Sequence, residues 1–283
     1  MRIIGKDQLY SFSDRGKIRE RTCISVRKGA GCAVDDFLDL ATKVATLQFK
    51  NPGQVLVFRG QSNDHKRPND DYEISTLKPN LFRGTPSPGA TTLRRRFDKL
   101  KRAETLLLQQ YENDRLPEPE RLARQRILRW SIIQHYGICD TPLLDVSQSL
   151  RIAASFASGG SRSRAYLMVL GVPNISGAIT ASAEAGLQIV RLASVCPPAA
   201  LRPHIQEGYL LGEYPDMGDY DQKRNYGHFE IDFGRRLVAK FVFNPRTFWS
   251  DPDFPPVPHA ALYPDGHDPL YRLAQTVQQQ LGR

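Results

Sequence analysis

Residues 55–61 read Val-Leu-Val-Phe-Arg-Gly-Gln, an apolar run that leads directly into an arginine and a glycine. The run follows the turn residues Asn51-Pro52-Gly53, which favours a short buried strand. Before the turn, residues 35–50 place apolar side chains at near-helical spacing and predict a helix. Arg59 would then stand at the end of a buried strand, at the edge of the core.

Arg59 is the first candidate for chemistry, because a guanidinium fork matches the geometry of a phosphate or a carboxylate. Gly60 would allow another backbone or a ligand to come close. The alternative is an arginine that satisfies a buried carboxylate at the strand end.

Further along the chain, strands and helices are mixed without strict alternation. This predicts an α+β fold, in which residues 1–283 form one domain with a single mixed sheet and a helical insertion at about 84–135. Helices are predicted over residues 92–112, 119–135 and 149–158, in a short turn at 196–201, and over 268–281. Strands are predicted over residues 141–147, 165–172, 187–192, 203–214, 229–233 and 236–243, and loops over 62–76, 215–227 and 252–258.

The net charge and its distribution along the chain indicate which kinds of binding partner are favoured. The net charge is +9, and residues 83–130 hold twelve Lys or Arg against six Asp or Glu, so most of the excess lies there. A basic balance favours anionic partners such as phosphates, nucleotides or nucleic acid. The helix 92–112 fits either a nucleic-acid face or a solvated amphipathic helix, and it lacks the interleaved aromatic residues of single-strand binders.

Other classes of site are disfavoured by the sequence. The four cysteines form no CxxC pair and join no His cluster, so we expect free thiols in a reducing cytoplasm and no metal site. No apolar stretch is long enough to span a bilayer, so we expect no membrane. The phosphate-binding, zinc-protease and serine-hydrolase motifs GxxxxGK[ST], GxGxxG, HExxH and GxSxG are missing.

Three polar segments remain as candidates. His135, in Gln134-His135-Tyr136-Gly137 at a helix end, could be a general base or could cap the helix. Asp145 and Ser147 could hold a loop or cap the next helix. Gln206-Glu207 could direct one side chain into a cleft or lie on a solvated strand edge.

These segments, in this order, resemble the FRG domain family of bacteria and phages. The resemblance is carried by four segments over about residues 30–280: Phe58-Arg59-Gly60-Gln61 with Leu77-x-Pro79-x-Leu81-Phe82-Arg83, Gln134–Gly137 with Thr141-Pro142-Leu143-Leu144-Asp145 and the helix Ala153–Ala157, Arg202-x-x-x-Gln206-x-Gly208-Tyr209, and Leu262-Tyr263-Pro264-Asp265. Three departures are the extra residue between Gly137 and Thr141, Val146-Ser147 where Trp-Thr is common, and residues His65 to Asp71, which lengthen the loop after Arg59.

The pattern is also similar, more distantly, to ADP-ribosyltransferases, which implies NAD as the substrate and an ADP-ribosyltransferase-like fold. By that resemblance Arg59 grips the diphosphate, His135 and Tyr136 orient the nicotinamide ribose, and Gln206 or Glu207 stabilises the developing cation. The same resemblance implies a nucleotide-binding role for Gly60, Gln134, Thr141, Asp145 and Ser147.

Three functions stay open from the sequence. The first is an NAD-dependent ADP-ribosyltransferase or NAD glycohydrolase, as a bacterial or phage toxin or defence effector. The second is a non-catalytic nucleotide or nucleic-acid sensor that uses the basic helices 92–130, and the third is a module that binds a phage or host protein. The catalytic hypothesis requires Arg59, His135 and Gln206 to share one cavity.

Overall fold

The computed structural model describes residues 8–69, 72–160, 163–225 and 231–282. The chain packs as two compact units, each assembled from three stretches of sequence. Unit 1 comprises Met1–Leu77, Val146–Ile175 and Asp232–Leu262, and unit 2 comprises Lys78–Asp145, Ser176–Ile231 and Tyr263–Arg283. Each unit has its own cluster of buried apolar side chains.

The strands, in chain order, are β1 (Gln8–Phe12), β2 (Ile18–Thr22), β3 (Cys32–Ala33), β4 (Val55–Gln61), β5 (Lys66–Asn69), β6 (Tyr72–Ser75), β7 (Leu144–Ser147), β8 (Ala165–Val172), β9 (Ile179–Ser182), β10 (Leu187–Arg191), β11 (Gly208–Glu213) and β12 (Leu237–Phe243).

The α-helices are α1 (Cys23–Lys28), α2 (Phe37–Lys50), α3 (Ala90–Asn113), α4 (Pro119–Arg124), α5 (Arg126–His135), α6 (Leu150–Gly159), α7 (Leu192–Val195), α8 (Leu201–Ile205), α9 (Tyr220–Asn225), α10 (Pro245–Phe248), α11 (His259–Leu262) and α12 (Pro269–Gly282). Short 3₁₀ turns are formed by Asn80–Phe82, Phe233–Arg236 and Asp265–His267.

In unit 1, four strands lie side by side in the order β3–β12–β8–β4. The β3–β12 pair is parallel and the other pairs are antiparallel, so the sheet is mixed. β4 is paired with β8 along its length, with Arg59 opposite Met168, and on its other side Phe58 pairs with Ser147 of β7. β4 is therefore an interior strand, and the backbone of Arg59 is held in place by its ladder.

Helix α6 lies directly on β4, and Gly60 is the reason it can. A Cβ atom built on Gly60 would lie 1.7 Å from the Ala153 carbonyl oxygen and 2.8 Å from the Ala157 nitrogen. The helix begins where the Ser149 hydroxyl accepts from the Ile152 nitrogen at 3.5 Å. The close approach at Gly60 therefore accommodates a helix backbone.

In unit 2, β9, β10 and β11 form an antiparallel meander in which Val190 lies opposite both Ile179 and Leu210. The long helix α3 packs against α5 and α12. It buries Leu93, Phe97 and other apolar side chains of one face, and its basic residues occupy the other faces. This is the amphipathic arrangement that a helix covering a core requires.

The α+β class with a mixed sheet, predicted from the sequence, is confirmed. The structure also confirms the helices that became α2, α3, α6 and α12, and the strands that became β4, β8, β10 and β12. The Pro-rich segment 252–258 is irregular, as predicted. The helical segment 84–135 lies in unit 2. The boundaries of a single domain over 1–283 stay a prediction.

The helix predicted over residues 119–135 is in fact two helices, α4 and α5, because Gln125 is extended (φ −112°, ψ 104°). The cause is a side chain of the second helix. The Arg129 guanidinium donates to the carbonyl oxygens of Leu122 and Ala123 at 2.9 and 2.7 Å, and so satisfies the free carbonyls at the end of α4.

The segment 62–76, predicted to be a loop, instead contains the β5–β6 hairpin. Although the segment is mostly polar, its last residues are buried: Ile74 and Ser75 are 3% and 1% exposed. Ser75 accepts a hydrogen bond from the Arg27 guanidinium through its carbonyl oxygen at 2.8 Å. The hairpin is thus fixed by α1, a contact that no local pattern reveals.

Several later boundaries also differ from the predictions. The extended segment predicted over 141–147 is a strand only from Leu144, and 203–214 is a strand only from Gly208 because α8 continues to Ile205. The helical turn predicted at 196–201 is wrong in position, because α7 ends before it at Val195 and α8 begins only at Leu201. The segment 215–227, predicted to be a loop, contains α9. Of the strand predicted at 229–233, residues 229 and 230 lie outside the described residues, and Phe233 begins a 3₁₀ turn.

Within the described residues, no helix combines the length and the apolar character that crossing a bilayer requires.

Candidate functional site

In unit 1, the predicted site residues Arg59, Gly60 and Ser147 are all placed by β4 and its neighbours. Arg59 is half-buried and stands on an interior strand. The Ser147 hydroxyl accepts from the Ser149 nitrogen at 3.0 Å, which orders the chain where it enters α6. The backbone of Arg59 is therefore held in place by strand pairing, and the Ser147 hydroxyl stabilises the turn that leads into α6.

In unit 2, Gln134, Thr141 and Asp145 form a continuous hydrogen-bonded chain. The Thr141 hydroxyl accepts from the Leu143 nitrogen at 3.2 Å and donates to Gln134 Oε1 at 2.5 Å. Gln134 Nε2 donates to Asp145 Oδ2 at 2.6 Å. Because an ionised carboxylate can only accept hydrogen bonds, the NH₂ group of Gln134 must face Asp145, and its carbonyl oxygen then accepts from the Thr141 hydroxyl.

His135 lies beside the same carboxylate. Its Nδ1 is 3.9 Å from Asp145 Oδ1, and the imidazole side chain is 4% exposed whereas the Asp145 side chain is 42% exposed. Nε2 of His135 is buried and has no hydrogen-bond partner among the residues that the structure describes. A buried imidazole nitrogen without a partner is a costly arrangement, so it marks a place where a ligand group or water would be stabilising.

Other charged and polar groups face Asp145 as well. Arg83 has its pKa lowered by burial, an effect opposed by the nearby carboxylates of Asp145 and Asp140. Tyr263 has its pKa raised, mainly by burial, with the negative charge of Asp145 contributing. The carboxylate of Asp145 thus lies beside a glutamine and an imidazole, and its charge also acts on a guanidinium and a phenol.

Tyr136, predicted to contact the nicotinamide ribose, has its hydroxyl engaged inside unit 2. It donates to Asp268 Oδ2 at 2.8 Å, and burial together with that carboxylate raises the pKa of the phenol. Asp268 is completely buried and also accepts from the backbone nitrogens of Arg202 and Leu270 at 3.0 Å each. This hydroxyl therefore anchors the start of α12.

Arg202 joins three of the sequence motifs. Its guanidinium donates to the His135 carbonyl oxygen at 3.1 Å and pairs with Asp265. The guanidinium carbon also lies 5.0 to 5.2 Å from the centres of three aromatic rings, those of Tyr136, Tyr263 and Tyr271. Cation–π contacts of this kind, with the charge paired and desolvated, stabilise the surrounding loops.

The Gln206-Glu207 turn passes beside His135. Gln206 is 7% exposed, whereas Glu207 is exposed and has a left-handed backbone (φ 44°). At the next residue, a Cβ on Gly208 would lie 2.8 Å from Leu192 Cδ1 and 3.5 Å from His135 Cε1. Unit 2 therefore brings the glutamine turn, His135 and Asp145 into one neighbourhood, and it is the neutral member of the pair that turns inward.

The thiols are poor candidates for reactivity. All four cysteines are free, and burial raises the pKa of Cys23 to about 11 and those of Cys139 and Cys196 to about 12, which disfavours the thiolate. Across the described ranges, no group of three or more His, Cys, Asp or Glu side chains is arranged to hold a metal ion.

Sequence reasoning assigned no role to Arg202, Asp265 or Asp268. All three carried a local signal in the sequence, because Arg202 and Asp265 stand in the motifs themselves. Asp268 directly precedes Pro269 and a helix, a common pattern for a helix start.

One part of the chain, which contains several of these motifs, is similar to a known family. Residues 54–165 match the sequence profile of the FRG domain. The match supports the FRG family and spans Arg59, Gln134–Gly137 and Asp145. It ends before the Gln206 turn, so the FRG match does not include that part of the neighbourhood. No curated protein and no solved structure is similar to the chain at a significant level.

Proposed function

We propose that this protein cleaves the bond between nicotinamide and ribose in NAD, as an ADP-ribosyltransferase or an NAD glycohydrolase acting as a toxin or defence effector. The observation that carries the proposal is the pair formed by His135 and Asp145, in which a carboxylate 42% exposed lies beside an imidazole whose Nε2 is buried and unpartnered within the described chain. An imidazole held beside a carboxylate in this way is suited to accepting a proton.

The reaction needs few groups. The C1′–N1 bond breaks, its electron pair leaves with nicotinamide, and the ribose becomes cationic at C1′, as in glycoside cleavage. Water or an acceptor hydroxyl then adds at C1′ and loses a proton. His135 Nε2 accepts that proton, and Arg59 is proposed to bind the diphosphate, because its charge and fork suit phosphate oxygens.

The turn at Gln206 supports binding more directly than it supports turnover. A buried carboxamide can donate to and accept from a ribose hydroxyl, but it supplies no negative charge. Glu207 carries a negative charge, but it is exposed and has a left-handed backbone. The proposal therefore assigns Gln206 to ribose recognition.

Replacing Arg59 with alanine tests the binding part of the proposal. We expect NAD to raise the melting temperature of the wild-type protein and to bind Arg59→Ala about 10- to 100-fold more weakly, the range for losing a charge-assisted contact. Thermal shift and calorimetric titration with NAD and ADP-ribose measure this. Arg19→Ala, which removes an exposed arginine of β2, is the matched control. Equal affinities in the two variants would contradict a diphosphate role for Arg59.

A second function, nucleic-acid binding, is favoured by one specific surface. Arg95, Lys99 and Arg102 are exposed on α3 at i, i+4 and i+7, so they form a basic stripe along one face. The neighbouring Arg94 and Lys101 are instead paired with Asp221 and Asp219. We define the basic stripe as Arg95, Lys99 and Arg102.

Charge reversal separates this function from the first. If the basic stripe binds phosphates, the affinity for DNA or RNA should fall with salt with a log–log slope of about −2 to −3, and R95E/K99E/R102E should abolish it. A fluorescence anisotropy titration at several salt concentrations measures both. The control R15E/K17E/R19E makes the same change of charge on exposed residues of unit 1. Loss of binding in both triple variants would show only a dependence on net charge.

A further inference from the structure

The cleavage proposed above leaves one requirement unassigned, namely the negative charge that faces the ribosyl cation. We infer that Asp145 supplies it. This inference rests on the proposed function, and it replaces the carboxylate that the sequence placed at Glu207 with one on a different segment of unit 2.

Asp145 is accessible and yet held in one orientation. Its side chain is 42% exposed, while Oδ2 accepts from Gln134 Nε2 at 2.6 Å. Gln134 is fixed in turn by the Thr141 hydroxyl. A carboxylate that is oriented before the substrate arrives needs no reorganisation when positive charge develops, and this is the condition under which electrostatic stabilisation is most effective.

The neighbouring imidazole completes the assignment. His135 Nδ1 faces Asp145 Oδ1 at 3.9 Å, so the carboxylate lies directly beside the imidazole whose Nε2 takes a proton from water or an acceptor hydroxyl. In the overall reaction, nicotinamide leaves with the electron pair of the broken bond, an oxygen forms the new bond to C1′, and the proton of that oxygen is transferred to His135.

Glu207 and Gln206 fit this role less well. Glu207 is exposed, and Gln206 is buried but neutral. Asp145 combines a charge, partial exposure and a fixed orientation. Gln134 and Thr141 are positioning residues, since they act on the substrate only through Asp145.

The test compares two isosteric substitutions in the full chain, Asp145→Asn and Glu207→Gln. Each removes one negative charge and keeps the shape of the side chain. The probes are ADP-ribose and an analogue in which a protonated nitrogen replaces the ring oxygen of the terminal ribose, measured by calorimetric titration. We expect the wild-type protein to bind the cationic analogue about tenfold more tightly than ADP-ribose, the size of one charge-assisted contact.

In Asp145→Asn the preference for the cationic analogue should disappear, so that the two probes bind about equally, whereas Glu207→Gln should keep the preference. Nicotinamide release from NAD should drop about 100-fold in Asp145→Asn and less than threefold in Glu207→Gln, the range for removing one preorganised charge. Because binding of the two probes does not depend on turnover, the preference also tests Asp145 in a protein that cleaves NAD slowly.

The other outcomes are informative in distinct ways. Equal affinity of the wild-type protein for the two probes would overturn the role of Asp145 and leave NAD binding in place, as would a preference retained in Asp145→Asn. Failure of the wild-type protein to bind either probe or NAD would overturn the proposed function, and the assignment of Asp145 with it. Unfolding curves of both variants confirm that they fold as the wild-type protein does.

Discussion

Replacing Gly60 with alanine is expected to destabilise unit 1 by about 3 kcal/mol or more and to reduce the yield of soluble protein, because the added methyl group has no space. Its Cβ would lie 1.7 Å from the Ala153 carbonyl oxygen and 2.8 Å from the Ala157 nitrogen. Both atoms belong to the backbone of α6, which cannot yield as the tip of a side chain can. The strand or the helix would have to move away from the other.

Gly53 provides the matched control. It lies in the turn before β4, and a Cβ built there meets no atom within 4 Å. Gly53→Ala should therefore change the free energy of unfolding by no more than about 0.5 kcal/mol. Urea denaturation of both variants measures the difference, and a Gly60→Ala protein as stable as Gly53→Ala would refute the close packing of α6 on β4.

Removing the carboxylate of Asp64 should destabilise the protein by about 3–5 kcal/mol, because it leaves a buried ammonium group without its counter-charge. Lys240 Nζ donates to Asp64 Oδ2 at 2.7 Å and to the Ser75 hydroxyl at 2.8 Å. The Lys240 and Asp64 side chains are only 1% and 6% exposed. Asp221→Ala, which breaks an exposed pair with Arg94, is the control and should cost less than about 1 kcal/mol.

The pH dependence gives this prediction a distinctive sign. Burial lowers the pKa of Lys240, and Asp64 opposes that effect. Between the lowered folded pKa and the unfolded value of about 10.4, the unfolded chain holds more protons, so stability rises with pH. In Asp64→Ala the opposing charge is gone and the window extends to lower pH. Below the unfolded pKa of about 10.4, the variant should therefore gain more stability with rising pH than the wild-type protein does. An unchanged slope would contradict the burial of an unpaired Lys240.

Much of the fold could be predicted because its elements carry their own signals. The β4 run, the Ser149 cap of α6 and the apolar face of α3 each lie within one short window of sequence. The break between α4 and α5 could not, because it depends on a hydrogen bond from Arg129 to the end of the preceding helix. Propensity summed over a window does not detect one side chain that satisfies two carbonyls.

The candidate site was predictable in its residues rather than in their roles. The sequence identified His135 and Asp145, but the hydrogen bonds that orient Asp145 depend on which way the Gln134 side chain is turned. The contacts of Arg202 with His135 and Asp265 join residues more than sixty positions apart. Contacts between residues so far apart in sequence leave no periodic pattern. The order of the motifs alone cannot distinguish a residue that binds a ligand from one that holds two segments of the protein together.

The division of each unit into three stretches constrains how the protein can be synthesised and cut. Unit 2 cannot complete its core on the ribosome until Tyr263 and the residues of α12 have been translated, although its first stretch begins at Lys78. No single peptide-bond cleavage can release one unit whole from the other. Fragments made by limited proteolysis or by truncation within residues 78–262 should therefore remain associated or lose structure together. Producing one unit alone would require cutting the chain at several positions and rejoining its three stretches.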